Sequence, residues 1–160
     1  MSTKSAIPKS IVKEFTFMRV FDAPREIVFK AWTDPAHFAK WWGPKGFTNP
    51  VCKLDLKVNG PIEVVMRGPN GLEYPMGGHF VEINPPERLV FIASAMQDEH
   101  GECHHETHNT VTFVNEKGKT KMTLVAKVTK STMKAAGALA GMEVGWTQSL
   151  ERLSALVSKH

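Results

Sequence analysis

The string in this chain richest in groups that bind metals or move protons is "HGECHHETH", residues 100–108. It holds His100, Cys103, His104, His105 and His108, a set of imidazole and thiol donors of the kind that coordinates zinc or copper. Its spacing argues against one shared ion. On an extended strand, His104, Glu106 and His108 share one face, and Cys103 and His105 share the other. Parity carried into the apolar "TVTF" at 110–113 turns His105 inward with Val111 and Phe113, and leaves His104 and His108 outside. These two outer imidazoles would lie about 13 Å apart, beyond the reach of one cation. A solvated edge or loop is the main expectation, no metal is assigned, and a site made by looping of the segment stays open as the alternative.

Arg19 is the second chemical candidate. It alternates with Phe15, Phe17 and Phe21 and so falls on an apolar face, where a guanidinium needs a carboxylate or several carbonyls. Glu63 and Glu143 are candidate partners, which makes Arg19 either a structural ion pair or an anchor for a ligand head group. The acids Asp55, Glu63, Glu73 and Glu82 are spread over several segments, so no catalytic pair is legible. Tyr74, the single tyrosine, is placed to bring a hydroxyl inward or simply to pack its ring. No GxSxG, phosphate-binding loop or dinucleotide fingerprint occurs, so no catalytic residue and no cofactor is assigned.

The elements that must position these groups follow from periodicity. Residues 12–21, "VKEFTFMRVF", read as a strand. Two short helices follow, the first opened by Asp22 and Pro24 and the second by Asp34 and Pro35. The second carries Phe38, Trp41 and Trp42 up to a stop at Gly43-Pro44. From residue 51 the period becomes two: "VCKLDLKV", a hairpin signal at Asn59-Gly60, "IEVVMR", "LEYPMGGHFVEI", "RLVFIASA", a strand within 104–114 and "TKMTLVAKV". Gly77-Gly78 predicts a bulge or a close approach. Residues 131–158 carry a helical stripe punctuated by Gly137, Gly141 and Gly145, which predicts either close packing there or a loose first half.

The result is an α+β chain: strand, two short helices, about six antiparallel strands, one long helix. A curved sheet around one amphipathic helix buries both apolar faces and leaves room for a cavity. The 160 residues suit one domain, taken as 12–160 after a flexible 1–11. The net charge of +4 is scattered among acids, with no nucleic-acid-binding pattern. No apolar run is long enough to span a bilayer and the first residues lack a signal-peptide core, so a cytoplasmic location is expected. Cys52 and Cys103, far apart, are expected to be reduced structural thiols.

The order of elements is similar to the helix-grip arrangement of the START and Bet v 1-like superfamily. The strings "FDAPREIVFKAWTDPAHFAKWWGPKGF", "PPERLVF", "TVTF" and "GMEVGWTQSLERL" resemble the Hsp90 ATPase activator homologue family in its single-domain form, over residues 12–156. Two positions depart from its pattern: Asn59 where Gly is common, and Val144 where a second Glu is common. The resemblance implies a cap formed by the second helix and "GPKGF", with Trp41 and Trp42 dividing between core and opening; a core-only role for both is the alternative. It also implies a cavity that takes a small hydrophobic ligand. The lining expected is Trp32, Trp42, Phe47, Val64, Met66, Tyr74, Met76, Phe91, Phe113, Met142 and Trp146, with Arg19, Glu63, Glu143 and His105 as polar anchors. A co-chaperone-like protein partner, or a cyclase or hydrolase in the same cavity, are the rival functions. A homodimer is compatible with each.

Overall fold

Seven strands make one antiparallel sheet in the order β1-β7-β6-β5-β4-β3-β2. The computed structural model describes residues 13–97 and 100–158; the N-terminal segment expected to be flexible lies outside them. The strands are β1 (Lys13–Phe21), β2 (Thr48–Leu54), β3 (Pro61–Arg67), β4 (Glu73–Asn84), β5 (Arg88–Gln97), β6 (Cys103–Glu116) and β7 (Lys119–Ser131). Between β1 and β2 lie α1 (Arg25–Thr33) and α2 (Pro35–Phe38). After β7 come a 3-10 turn (Met133–Ala135), α3 (Ala136–Ala140) and α4 (Met142–Val157). One face of the sheet is covered by these helices, and the alternation of buried and part-exposed residues from His105 to Phe113 in β6 and from Thr120 to Val128 in β7 marks that face.

The core is built where the apolar stripe of α4 meets α1 and β1. Leu150, Leu153 and Val157 are buried with Phe17, Phe21, Val28, Phe29, Phe113 and Leu124. Burial of each such side chain contributes about 1.5–3 kcal/mol.

Several local expectations hold and several are revised. Asp34 caps α2, accepting from the amides of Ala36 at 2.9 Å and His37 at 3.4 Å, with Pro35 at the first helical position. Asp22 does not cap α1; Pro24 occupies the cap position without a side-chain bond. The second helix is shorter than its pattern suggests. Carbonyls that would continue it are taken by side chains instead: Asn49 Nδ2 donates to Ala39 O and Trp42 O, each at 2.9 Å.

The alternation at 51–58 does not persist as strand, because β2 stops at Leu54 and leaves Leu56 and Val58 exposed. Asn59-Gly60 is accordingly part of a longer loop that docks on β4, with Asn59 N donating to Phe80 O and Phe80 N to Gly60 O. Gly60 is required there, since a Cβ would meet the Asp55 carbonyl oxygen. Gly78 is the close approach expected in β4: its φ is 149°, and a Cβ would collide with Ile92 O of β5. The bulge itself falls later, between Phe80 and Glu82.

The expected single C-terminal helix is interrupted. Gly141, at φ −90° and ψ 0°, separates α3 from α4. No residue of α3 is buried, which agrees with the loose first half expected from the glycines.

Candidate functional site

The covered face of the sheet divides into two regions. Its register makes rungs that run across the strands. One reads Phe15, Ala126, Asn109, Phe91 and Phe80; the next reads Val128, Thr107, Ala93 and Gly78; the next reads Ser131, His105, Ala95, Met76, Val64 and Cys52. The first rung is bulky and lies against the aromatic core. The second and third carry the small residues Ala93, Ala95, Gly78 and Thr107 among the buried Val128, His105, Met76 and Val64. In the helical segment after β7, Met142 and Trp146 are half-buried and no residue of α3 is buried.

The aromatic wall of this region comes from three elements. Trp32 on α1 packs on Trp41 (ring centroids 4.7 Å apart), Phe91 (6.0 Å) and Trp146 of α4 (6.0 Å). Trp42 meets Phe38 at 4.7 Å and Trp146 at 5.2 Å. Both members of the Trp41-Trp42 pair are buried, at 0% and 8% exposure. Trp41 anchors the cap by donating Nε1 to Ala31 O at 2.8 Å, whereas Trp42 faces the half-buried Trp146. The two tryptophans thus serve different neighbours.

The eleven residues expected to line a cavity are distributed over both regions. Trp32, Trp42, Val64, Met76, Phe91 and Phe113 are buried in the packed wall. Phe47, Met66, Tyr74, Met142 and Trp146 form a half-buried to exposed rim, with Phe47 and Tyr74 rings 5.9 Å apart. Among the described residues, a void of about 10 Å³ sits between Trp32, Phe38, Leu54, Ile62, Met76, Phe80 and Phe91. That is at most the room of one water, and its walls are apolar.

Of the expected polar anchors, His105 lies on the covered face. It is 8% exposed, with Nδ1 3.3 Å from Ser131 Oγ, and burial lowers its pKa below the ordinary 6.5. A bulge at Thr129 between β6 and β7 brings Ser131 to that face. Arg19 keeps the predicted side of β1 but reaches the edge of the sheet. Its guanidinium donates to Met18 O at 2.8 Å and lies over the Phe17 ring at 5.9 Å. Neither expected carboxylate meets it. Glu63 alternates with buried Ile62 and Val64, so it points outward, 4.0 Å from Lys53; Glu143 is exposed on α4. The remaining acids also sit at the surface beside cations: Asp55 with Lys57, Glu73 with Arg67 at 2.6 Å, and Glu82 with Arg88 at 3.1 Å.

The histidine string resolves by residue. His108 is on the outer face near Lys127; burial first and that ammonium second lower its pKa. His104 was expected in solvent and is instead 7% exposed. The chain leaving β7 folds over it: Thr132 N donates to His104 O at 3.0 Å, and Thr132 Oγ1 lies 2.8 Å from His104 Nδ1. No cluster of three metal-binding side chains forms among the described residues. Both cysteines are free thiols. Cys103 Sγ donates to His105 O, and burial, aided by the nearby Asp34 carboxylate, pushes the Cys52 thiol up to about 11.

Sequence reasoning missed three groups. Arg152 of α4 donates to Lys40 O, Trp42 O, Gly43 O and Pro44 O, at 2.9–3.3 Å, and so locks the cap onto the helix. Beside it Gln148 Oε1 accepts from Lys45 N at 3.0 Å. Asn109, a polar residue in the inward parity of β6, is 1% exposed. Parity alone was enough to find Asn109; nothing local marked the two helix residues, because their partners lie over 100 positions away.

The family question is decided by residues 22–158, which match the model for Activator of Hsp90 ATPase homolog 1-like proteins. The chain belongs to that family. Its fold is the helix-grip arrangement shared with solved Activator of Hsp90 ATPase homolog 1-like structures. A crystal structure from Chromobacterium violaceum is 27% identical, with a TM-score of 0.77 over 91% of this chain and 96% of that one. A solution structure from Arthrobacter aurescens is 28% identical, with a TM-score of 0.79 over 92% and 87%. A family member from Silicibacter pomeroyi is 26% identical, with a TM-score of 0.72 over 92% and 100%. No curated protein matches the chain. None of the described helices is long and apolar enough to cross a membrane.

Proposed function

We propose that this Activator of Hsp90 ATPase homolog 1-like protein binds a small hydrophobic ligand between the sheet and the first part of its C-terminal helical segment. The observation that carries the reading is a stretch of small residues on the sheet's covered face. Ala93, Ala95, Gly78 and Thr107 are small there, no residue of α3 is buried, and Phe47, Met66, Tyr74, Met142 and Trp146 supply half-buried to exposed apolar surface. Exposed apolar surface gathered around a recess is the usual mark of a ligand site. Burial of that rim by a ligand contributes about 25 cal/mol per Å². The resident void is too small for such a ligand, so binding requires α3 to lift, and the Gly141 break supplies the pivot. Three polar groups face the same region, His105, Thr107 and Asn109, and they orient the ligand.

Native mass spectrometry of freshly purified protein tests this. A stoichiometric adduct lost on denaturation is the expected result, and its mass sets the ligand class. A clean apo mass, together with Trp146→Ala protein that stays folded and keeps full affinity for an added apolar dye, would sink the reading.

A second reading, a module that stimulates a chaperone ATPase, rests on the family description and on the outer face of the sheet. There Met18, Val20 and Val114 are 52%, 58% and 51% exposed, and Val20 and Val114 flank Lys121 in register. Absence of ATPase stimulation at saturating protein rejects it.

A further inference from the structure

Among the described residues three buried side-chain atoms have no hydrogen-bond partner: Asn49 Oδ1 under the cap and, near Phe91, Trp32 Nε1, a donor, and Asn109 Oδ1, an acceptor. Trp32 and Asn109 are each 1% exposed. An unsatisfied buried polar group costs about 1–3 kcal/mol, so two beside one aromatic ring call for a physical reason. Both adjoin Phe91. The Trp32 ring is 6.0 Å from the Phe91 ring, and Asn109 is the direct cross-strand neighbour of Phe91 on the same face.

The Asn109 amide is held in one orientation. Its Nδ2 donates to Thr107 Oγ1 at 3.0 Å and reaches Phe91 O at 3.4 Å. A backbone carbonyl only accepts, so the atom facing it must be the NH₂, and the orphan must be the carbonyl-type oxygen. The two enclosed atoms are therefore complementary, one fixed donor and one fixed acceptor, on either side of Phe91. The next two rungs beyond them are Thr107 with Ala93 and His105 with Ala95, where the two alanines are small.

We infer that Trp32 and Asn109 form a hydroxyl-recognition subsite at the inner end of this recess, and that the ligand is an apolar molecule bearing a neutral phenol or alcohol group. The inference rests on the reading of the recess as a ligand site. A hydroxyl accepts from an indole N–H and donates to an amide oxygen, so it satisfies both orphans. A carboxylate has no proton for Asn109 Oδ1 and is repelled by it. A hydrocarbon leaves both atoms unpaired. A site built to hydrogen-bond a hydroxyl discriminates strongly against an analogue that lacks it.

Phenol and toluene, nearly equal in size, make the test. Each is titrated into the intact ¹⁵N-labelled protein, and the Trp32 indole N–H resonance, assigned through its contacts with the Phe91 ring, is followed. The expected result is a saturable downfield shift of that resonance with phenol and binding about tenfold tighter than toluene. In Asn109→Leu protein, checked for an unchanged amide spectrum elsewhere, the preference falls to about unity. Equal binding of the two probes, or phenol binding with an unmoved Trp32 indole resonance, overturns the subsite and leaves the apolar-ligand reading standing. No saturable shift from either probe at millimolar concentration overturns both. A phenol-insensitive Trp32 resonance that exchanges slowly with one enclosed water identifies that water as the partner of the two atoms, and it too overturns the subsite.

Discussion

At the scale of single residues, the side chains that looked most reactive have been absorbed by structure, and one quiet position gained importance. His105 pairs with Ser131 and His104 with Thr132, and no cluster of three metal-binding side chains forms among the described residues. This has a consequence for pH. Burial lowers the folded-state pKa of His105, and burial with Lys127 lowers that of His108, both from the ordinary 6.5. Below 6.5 the unfolded chain takes up protons that the folded chain refuses, so stability is full above that pH and falls as pH drops toward the depressed folded values. The urea midpoint is expected to be flat between about pH 7 and 8 and to decline below 6.5, with a shallower decline in His105→Gln; an unchanged slope in that variant would remove His105 from the account. Gly78→Ala is expected to destabilise by at least about 2 kcal/mol, because φ 149° suits only glycine and the Cβ would strike Ile92 O. Denaturant titration checks it, and a neutral result would mean that β4 and β5 separate more easily than their register suggests.

At the scale of elements, one guanidinium makes four of the hydrogen bonds between the cap and the last helix. Arg152 reaches four carbonyls of the 40–44 turn, groups left without intrahelical partners because α2 stops at Phe38. Arg152→Ala is expected to cost about 1–3 kcal/mol, since these hydrogen bonds come from a charged donor. Arg152→Lys, which offers an ammonium in place of a planar fork, should recover only part of that. Full recovery by lysine would show that charge rather than geometry is what the turn requires. The helical segment itself is uneven. Amides of Ala136–Ala140 are expected to exchange with solvent much faster than those of Leu150–Val157, since α3 buries no side chain and the end of α4 buries three large ones. Uniform protection along both would contradict the pivot at Gly141 on which ligand entry depends.

At the scale of the whole molecule, the four tryptophans join the parts that the topology keeps separate. Trp32 from α1, Trp41 and Trp42 from the cap and Trp146 from α4 form one cluster linked by ring-centroid distances of 4.7, 5.2, 5.7 and 6.0 Å, and Phe91 ties it to the sheet. Unfolding monitored by tryptophan fluorescence and by far-ultraviolet circular dichroism is therefore expected to follow one shared transition. An earlier fluorescence change would show that the cap and α4 leave the sheet first. Much of this molecule follows from the sequence alone. Period-two alternation from residue 51, the Asp34-Pro35 start and the stripe of the last helix specify the element order, and the family strings specify the helix-grip fold. These features are legible because each is set by neighbours within one or two turns of chain. The inward parity of His105 was legible for the same reason. What only the tertiary structure decided was how polar groups are satisfied. Glu63 and Glu143 turn away from Arg19, Arg152 finds carbonyls more than 100 positions earlier, and His104 is buried by Thr132. Trp32 Nε1 and Asn109 Oδ1 are left unpaired beside Phe91. Local pattern determines which face a side chain takes; whether it then meets a partner depends on which distant segment the sheet's curvature brings over it.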